Sequence, residues 1–82
     1  MKLQLSKDAE KYFDKAPKNL QEKFAEAFQK ILRGEGDIQP LRGETKLFRY
    51  KMFHYRIIFL VEVSEDLVRI VKIGTRGDVY KN

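Results

Sequence analysis

Apolar residues recur along this chain at two spacings in turn, and each spacing predicts a kind of element. Lys2 to Leu5 alternates polar and apolar, the mark of a short half-buried strand. Ser6 then offers an N-cap, with Asp8 and Glu10 in the helical turn that follows. Leu5, Ala9, Tyr12, Phe13 and Ala16 fall near one stripe of that helix, and Pro17 stops or redirects the chain. Leu20, Phe24, Ala27, Phe28, Ile31 and Leu32 repeat at three and four, which defines a second amphipathic helix closing at Gly34, a left-handed C-cap. Aromatic side chains at this spacing are packing material, so the stripe is assigned to the core.

Glu35 to Thr45 holds Gly36, Pro40 and Gly43 among polar residues and reads as a connecting loop. The period then becomes two. Phe48-Arg49-Tyr50-Lys51-Met52 sends Arg49 and Lys51 to one sheet face and the apolar side chains to the other. Tyr55 to Val63 and Leu67 to Ile73 are runs of β-branched and aromatic residues separated by Ser64-Glu65-Asp66. The element order is βααβββ. It predicts an α+β fold in which an N-terminal strand and a helical hairpin pack on a small antiparallel β-sheet, with the opposite sheet face carrying the cations. At 82 residues the chain is expected to form one domain over 1–82, small enough to bury only roughly 60% of its unfolded surface.

Composition narrows the chemistry. Cysteine is absent and His54 is the sole histidine, which removes thiolate catalysis and Cys-ligated metals, so neither a metal nor another cofactor is expected. No long apolar stretch marks a membrane span or a signal peptide, and a cytoplasmic protein is expected. The formal net charge is +5, pointing to phosphate-rich partners or an acidic protein. The carboxylates concentrate in the predicted helices and the distal turn, whereas the cations from Arg42 to Arg56 have only Glu44 for company.

Those cations converge if the strands form hairpins. With Phe53-His54 as the first turn, Lys51 sits opposite Arg56; with Ser64 to Asp66 as the second, Arg76 falls opposite His54 and diagonal to Arg56. Like charges directly opposite on a sheet are unfavourable by roughly 0.2 to 1 kcal/mol, so gathering them answers to an anionic ligand. The bland alternative is a solvated sheet face that is merely basic. The Phe53-His54 turn lacks the Gly or Asn that tight hairpins favour, so this register is conditional.

Leu41-Arg42-Gly43, Phe48-Arg49-Tyr50-Lys51, Tyr55-Arg56-Ile57-Ile58-Phe59 and Ile73-Gly74-Thr75-Arg76-Gly77-Asp78-Val79-Tyr80 together resemble the RelE/ParE toxin superfamily of bacterial and archaeal toxin-antitoxin systems. The resemblance covers essentially the whole chain. Its RelE branch implies a ribosome-dependent, metal-independent endoribonuclease (mRNA interferase) that cuts messenger RNA and inhibits translation, neutralised by a cognate acidic antitoxin in a hetero-oligomer that reaches operator DNA only through the antitoxin. Carried over by position, Arg49, Lys51, Arg56, Arg76 and Tyr80 are the implied catalytic residues; Arg42 and Lys46, loop charges flanking the site, are expected to help docking on ribosomal RNA, and His54 is expected to take a minor part in RNA binding. Arg49 stands where a lysine is often found. Lys51 is therefore the group expected to take the 2′-hydroxyl proton, because a guanidinium does not usefully deprotonate. Arg56 and Arg76 are expected to neutralise the phosphate, and Tyr80 to stack on a base or hold the nucleophile. Two other readings stay open: a ParE-like inhibitor of DNA gyrase, and a non-catalytic relative that binds only antitoxin and operator DNA.

Overall fold

The computed structural model describes residues 1–41, 43, 46–77 and 79, and the fold runs β1 (Lys2–Leu5), α1 (Lys7–Lys15), α2 (Lys18–Arg33), β2 (Ile38–Pro40), β3 (Leu47–Met52), β4 (Tyr55–Glu62), a short 3-10 turn (Val63–Glu65) and β5 (Leu67–Thr75). The Ser6 cap forms as its residue type demands: its Oγ accepts the Ala9 N–H at 3.1 Å. The same hydroxyl donates to the Val71 carbonyl at 2.6 Å, tying the start of α1 to β5. Pro17 separates the helices and stands at the N-cap of α2. Gly34 closes α2 with φ 71°, a left-handed conformation that glycine takes without a Cβ penalty.

Five strands form one sheet in the order β1-β5-β4-β3-β2. The sheet is mixed, since β1 pairs parallel with β5 while the other neighbours are antiparallel. One stretch differs from the sequence reading. Within the region expected to be a loop, Ile38–Pro40 pairs with Phe48–Tyr50 as a three-residue edge strand. Pro40 is compatible with that edge because an edge strand leaves one row of its backbone groups without a neighbour.

Both helices cover one sheet face. Phe24, Ala27, Phe28 and Ile31 of α2 and Ala9 of α1 are buried against Tyr50, Ile57, Phe59, Val68, Ile70 and Ile73. Phe24 is fully buried, with its ring edge-on to Tyr55 at 5.5 Å between centroids. Gly36 brings the backbone against the Tyr50 ring: a Cβ there would lie 2.7 Å from Tyr50 Cε2, and φ is +94°. Alternation leaves Arg49, Lys51, Arg56 and Ile58 for the face the helices do not cover. No helix among the described residues is long and apolar enough to cross a membrane.

Candidate functional site

The uncovered face is built by two adjoining hairpins. Met52 pairs with Tyr55, so Phe53 and His54 form a two-residue turn, and Lys51 stands directly opposite Arg56. Arg56 in turn stands opposite Gly74. The Arg76 N–H donates to the His54 carbonyl at 2.8 Å, which brings Arg76 to the tip of the first hairpin. The convergence expected from sequence register is thus present for Lys51, Arg56 and Arg76.

The three cations are held differently. Arg56 is only 8% exposed. Its Nη1 donates to the carbonyls of Phe53 at 3.0 Å and of Tyr55 at 2.9 Å. Sequence alternation places this guanidinium on the uncovered face; the structure buries it there, with two backbone carbonyls as partners. Val79, itself buried, lies 3.5 to 3.6 Å from where a Cβ on Gly74 would stand, so the chain closes over the Arg56–Gly74 row. A methyl at residue 74 would make ordinary van der Waals contact with Val79. Lys51 and Arg76, by contrast, are exposed.

Arg49 is one strand pair further along, opposite Ile58 and Gln39. It meets Asp37 Oδ1 at 3.9 Å, a loose ion pair. The carbonyl of Asp37 accepts the Lys51 N–H at 3.0 Å, so one residue before β2 touches both basic positions of β3. Asp37 was not foreseen; the short β2 that carries it to the site has too few residues to show a period. A bulge in β5 was also missed, and the Lys72 it positions lines a cavity with Asp8, Lys11, Tyr12 and Lys15 of α1 rather than the cluster. β-Pairing skips Val71, because Phe59 pairs with Ile70 while Ile58 pairs with Lys72. This bulge sets Lys72 in register with Ile58 and returns Ile73 to the core. The adjacent apolar pair Ile70-Val71 was the available signal.

His54 lies exposed in the turn with its ring 4.4 Å from that of Tyr55. Lys46 is not part of the cluster. It precedes β3 at the opposite end from Lys51, roughly 16 Å away at the rise of an extended strand, and its Nζ pairs with Glu62 Oε2 at 3.8 Å. Arg42 and Tyr80 lie outside the described residues.

A family model described as "ParE toxin of type II toxin-antitoxin system, parDE" matches residues 3–80. The chain belongs to this toxin family. Solved structures agree on the fold. The toxin is 27% identical to a chain of the archaeal RelE-RelB complex from Pyrococcus horikoshii OT3, with a TM-score of 0.75 over 94% of this chain and 96% of that one. The isolated Escherichia coli RelE toxin shares the fold at 20% identity and a TM-score of 0.78, covering 90% of this chain and 82% of that one. A chain of the toxin-antitoxin complex RelBE2 of Mycobacterium tuberculosis shares it at 22% identity and a TM-score of 0.71, over 92% and 96%. No curated protein sequence matches the toxin.

Proposed function

We propose that this toxin is a ribosome-dependent endoribonuclease acting on messenger RNA without a metal. The observation that carries the reading is the Lys51–Arg56 pair with Arg76 beside it, on the sheet face that the helices leave uncovered. The likeness to the Pyrococcus RelE chain over nearly all of both chains supports it.

The chemistry needs only these side chains. A ribose 2′-hydroxyl attacks the adjacent phosphorus, Lys51 Nζ accepts its proton, and the P–O5′ bond breaks. The products are a 2′,3′-cyclic phosphate and a 5′-oxygen that takes a proton from solvent water to leave as a hydroxyl, while the Lys51 ammonium returns its proton to solvent. Arg76 neutralises the charge that builds on the phosphoryl oxygens, a contribution worth roughly 10² to 10³ in rate for one well-placed donor. Arg56 adds its charge from a fixed position, because two backbone carbonyls hold Nη1. Arg49 can exchange its loose contact with Asp37 for a phosphate. Tyr80 stacks on a base or orients the nucleophile, and Arg42, Lys46 and His54 contribute salt-sensitive phosphate contacts to ribosomal RNA. The neutralising partner is an acidic antitoxin chain, a reading supported by the fold's likeness to chains of toxin-antitoxin complexes.

The family match favours a second reading, a ParE-like inhibitor of DNA gyrase. Primer extension on a translated message during controlled expression separates the two: cleavage within codons supports the nuclease, and intact message with lost gyrase supercoiling supports the inhibitor. Lys51→Arg then assigns the base. Loss of most cleavage with charge retained marks a proton acceptor, and rates equal to the lysine protein at every pH rule that role out.

A further inference from the structure

Phe53 is the anomaly of the hairpin tip. It takes φ 55°, a conformation in which bulky side chains are outliers and which Gly or Asn adopts readily. It is also 71% exposed, so core packing does not account for a phenyl ring there. A strained conformation combined with an exposed aromatic points to function rather than to folding.

Its surroundings are cationic. Lys23 Nζ sits 5.6 Å from the ring centroid. Phe53 lines a cavity of about 180 Å³ with Lys23, Lys30, Tyr50 and Met52, in which Glu26 is the one carboxylate. The Phe53 carbonyl is held by Arg56 Nη1, and Lys51 lies two residues before it. The hairpin tip thus carries the ring on the α2 side, with Tyr50 and Met52, and the cation cluster on the uncovered face.

We infer that Phe53 is a stacking platform for a nucleobase of single-stranded RNA, with Lys23 and Lys30 on the flanking phosphates. The inference rests on the nucleic-acid reading of the cluster and extends it beyond the open sheet face to the rim of α2. An aromatic ring framed by ammonium groups matches the stacking-plus-funnel arrangement by which single strands are held without sequence readout. An acidic peptide would also meet the lysines, but its carboxylates would leave the exposed ring unused.

The test uses two variants and oligouridine RNA. Phe53→Asn removes the ring and suits the left-handed conformation, so the hairpin is expected to persist. Phe53→Trp installs the chain's sole tryptophan as a reporter. Phe53→Asn should weaken oligouridine binding by roughly 5- to 150-fold, the range for one lost base stack. The dependence of affinity on salt should keep its slope, since the ring neutralises no phosphate. Tryptophan fluorescence should be quenched by oligouridine and not by an abasic ribose-phosphate oligomer. Wild-type cleavage of messenger RNA on ribosomes is scored separately. If wild type cleaves and Phe53→Asn binds and cleaves equally well, the stacking inference is overturned while the nuclease reading stands. A flattened salt slope, equal quenching by the abasic oligomer, or a loss confined to antitoxin binding overturns it as well. If wild type neither cleaves message nor binds RNA, both fall.

Discussion

Replacing Arg56 by alanine tests whether this guanidinium is held as a structural element of the hairpin. In the folded protein Nη1 donates to two carbonyls on either side of His54, at 3.0 and 2.9 Å. Hydrogen bonds from a charged donor contribute about 1.5 to 3 kcal/mol each. Taking the lower value because the carbonyls border solvent, Arg56→Ala loses ~3 kcal/mol. Small domains hold about 0.05 to 0.15 kcal/mol per residue in total, so this is a large share of what keeps the chain folded. At 4 to 8 °C per kcal/mol for a domain of this size, the melting temperature should fall by roughly 12 to 24 °C. The assay is thermal unfolding followed by circular dichroism, with Arg56→Lys beside it. Lysine restores the charge but cannot span both carbonyls from one planar group, so it should recover only part of the loss. An Arg56→Ala protein that melts within about 4 °C of wild type would refute the argument. Toxicity lost in this variant counts as catalytic only when measured well below its own midpoint.

Arg76→Ala is the complementary case: the Arg76 contact that closes the turn is its backbone N–H, so the melting temperature should stay within the range of a neutral surface change, about 0.5 kcal/mol, while growth inhibition is lost. Retained inhibition in that folded variant removes Arg76 from the mechanism. Phe24→Ala empties a fully buried aromatic site and should cost roughly 3 to 5 kcal/mol by denaturant titration; a normal midpoint would contradict the packing of α2 on Tyr55. Gly36→Ala should lower stability by roughly 1 to 3 kcal/mol, because the new methyl meets the Tyr50 ring and a positive φ is imposed on alanine. Unchanged thermal unfolding would show that Tyr50 yields.

The helices were legible because their information is local: Ser6, Pro17 and Gly34 bound them, and the stripe from Leu20 to Leu32 is long enough to display its period. The first hairpin was legible too, since Lys51 opposite Arg56 follows once Phe53-His54 is the turn. What escaped depends on distant chain. Three residues, Ile38 to Pro40, cannot show an alternation, and they become a strand only because β3 supplies partners. The parallel β1–β5 pairing joins residues 65 apart, as Lys2 with Leu67, and leaves no trace in local pattern. Alternation placed Arg56 on its sheet face but could not show its burial, because alternation reports a direction and not how deeply the side chain lies.

That burial also explains how the sheet tolerates its own charge. A cation facing a cation across a hairpin is unfavourable by a few tenths of a kcal/mol or more, and solvent would ordinarily absorb it. Here the inner member is compensated by protein: Arg56 finds backbone carbonyls, and Arg49, further along β3, finds Asp37. The outer members are not, for among the described residues no carboxylate pairs with Lys51 or Arg76. Charge is therefore graded from a fixed interior to an open rim. A loose, half-buried pair at 3.9 Å such as Arg49–Asp37 holds its partners weakly, so an arriving phosphate can take Arg49 from Asp37 at little loss. The interior cation that fixes the hairpin needs no rearrangement, and the rim cations already face outward, so an anion meets a surface whose charges are in place before it binds.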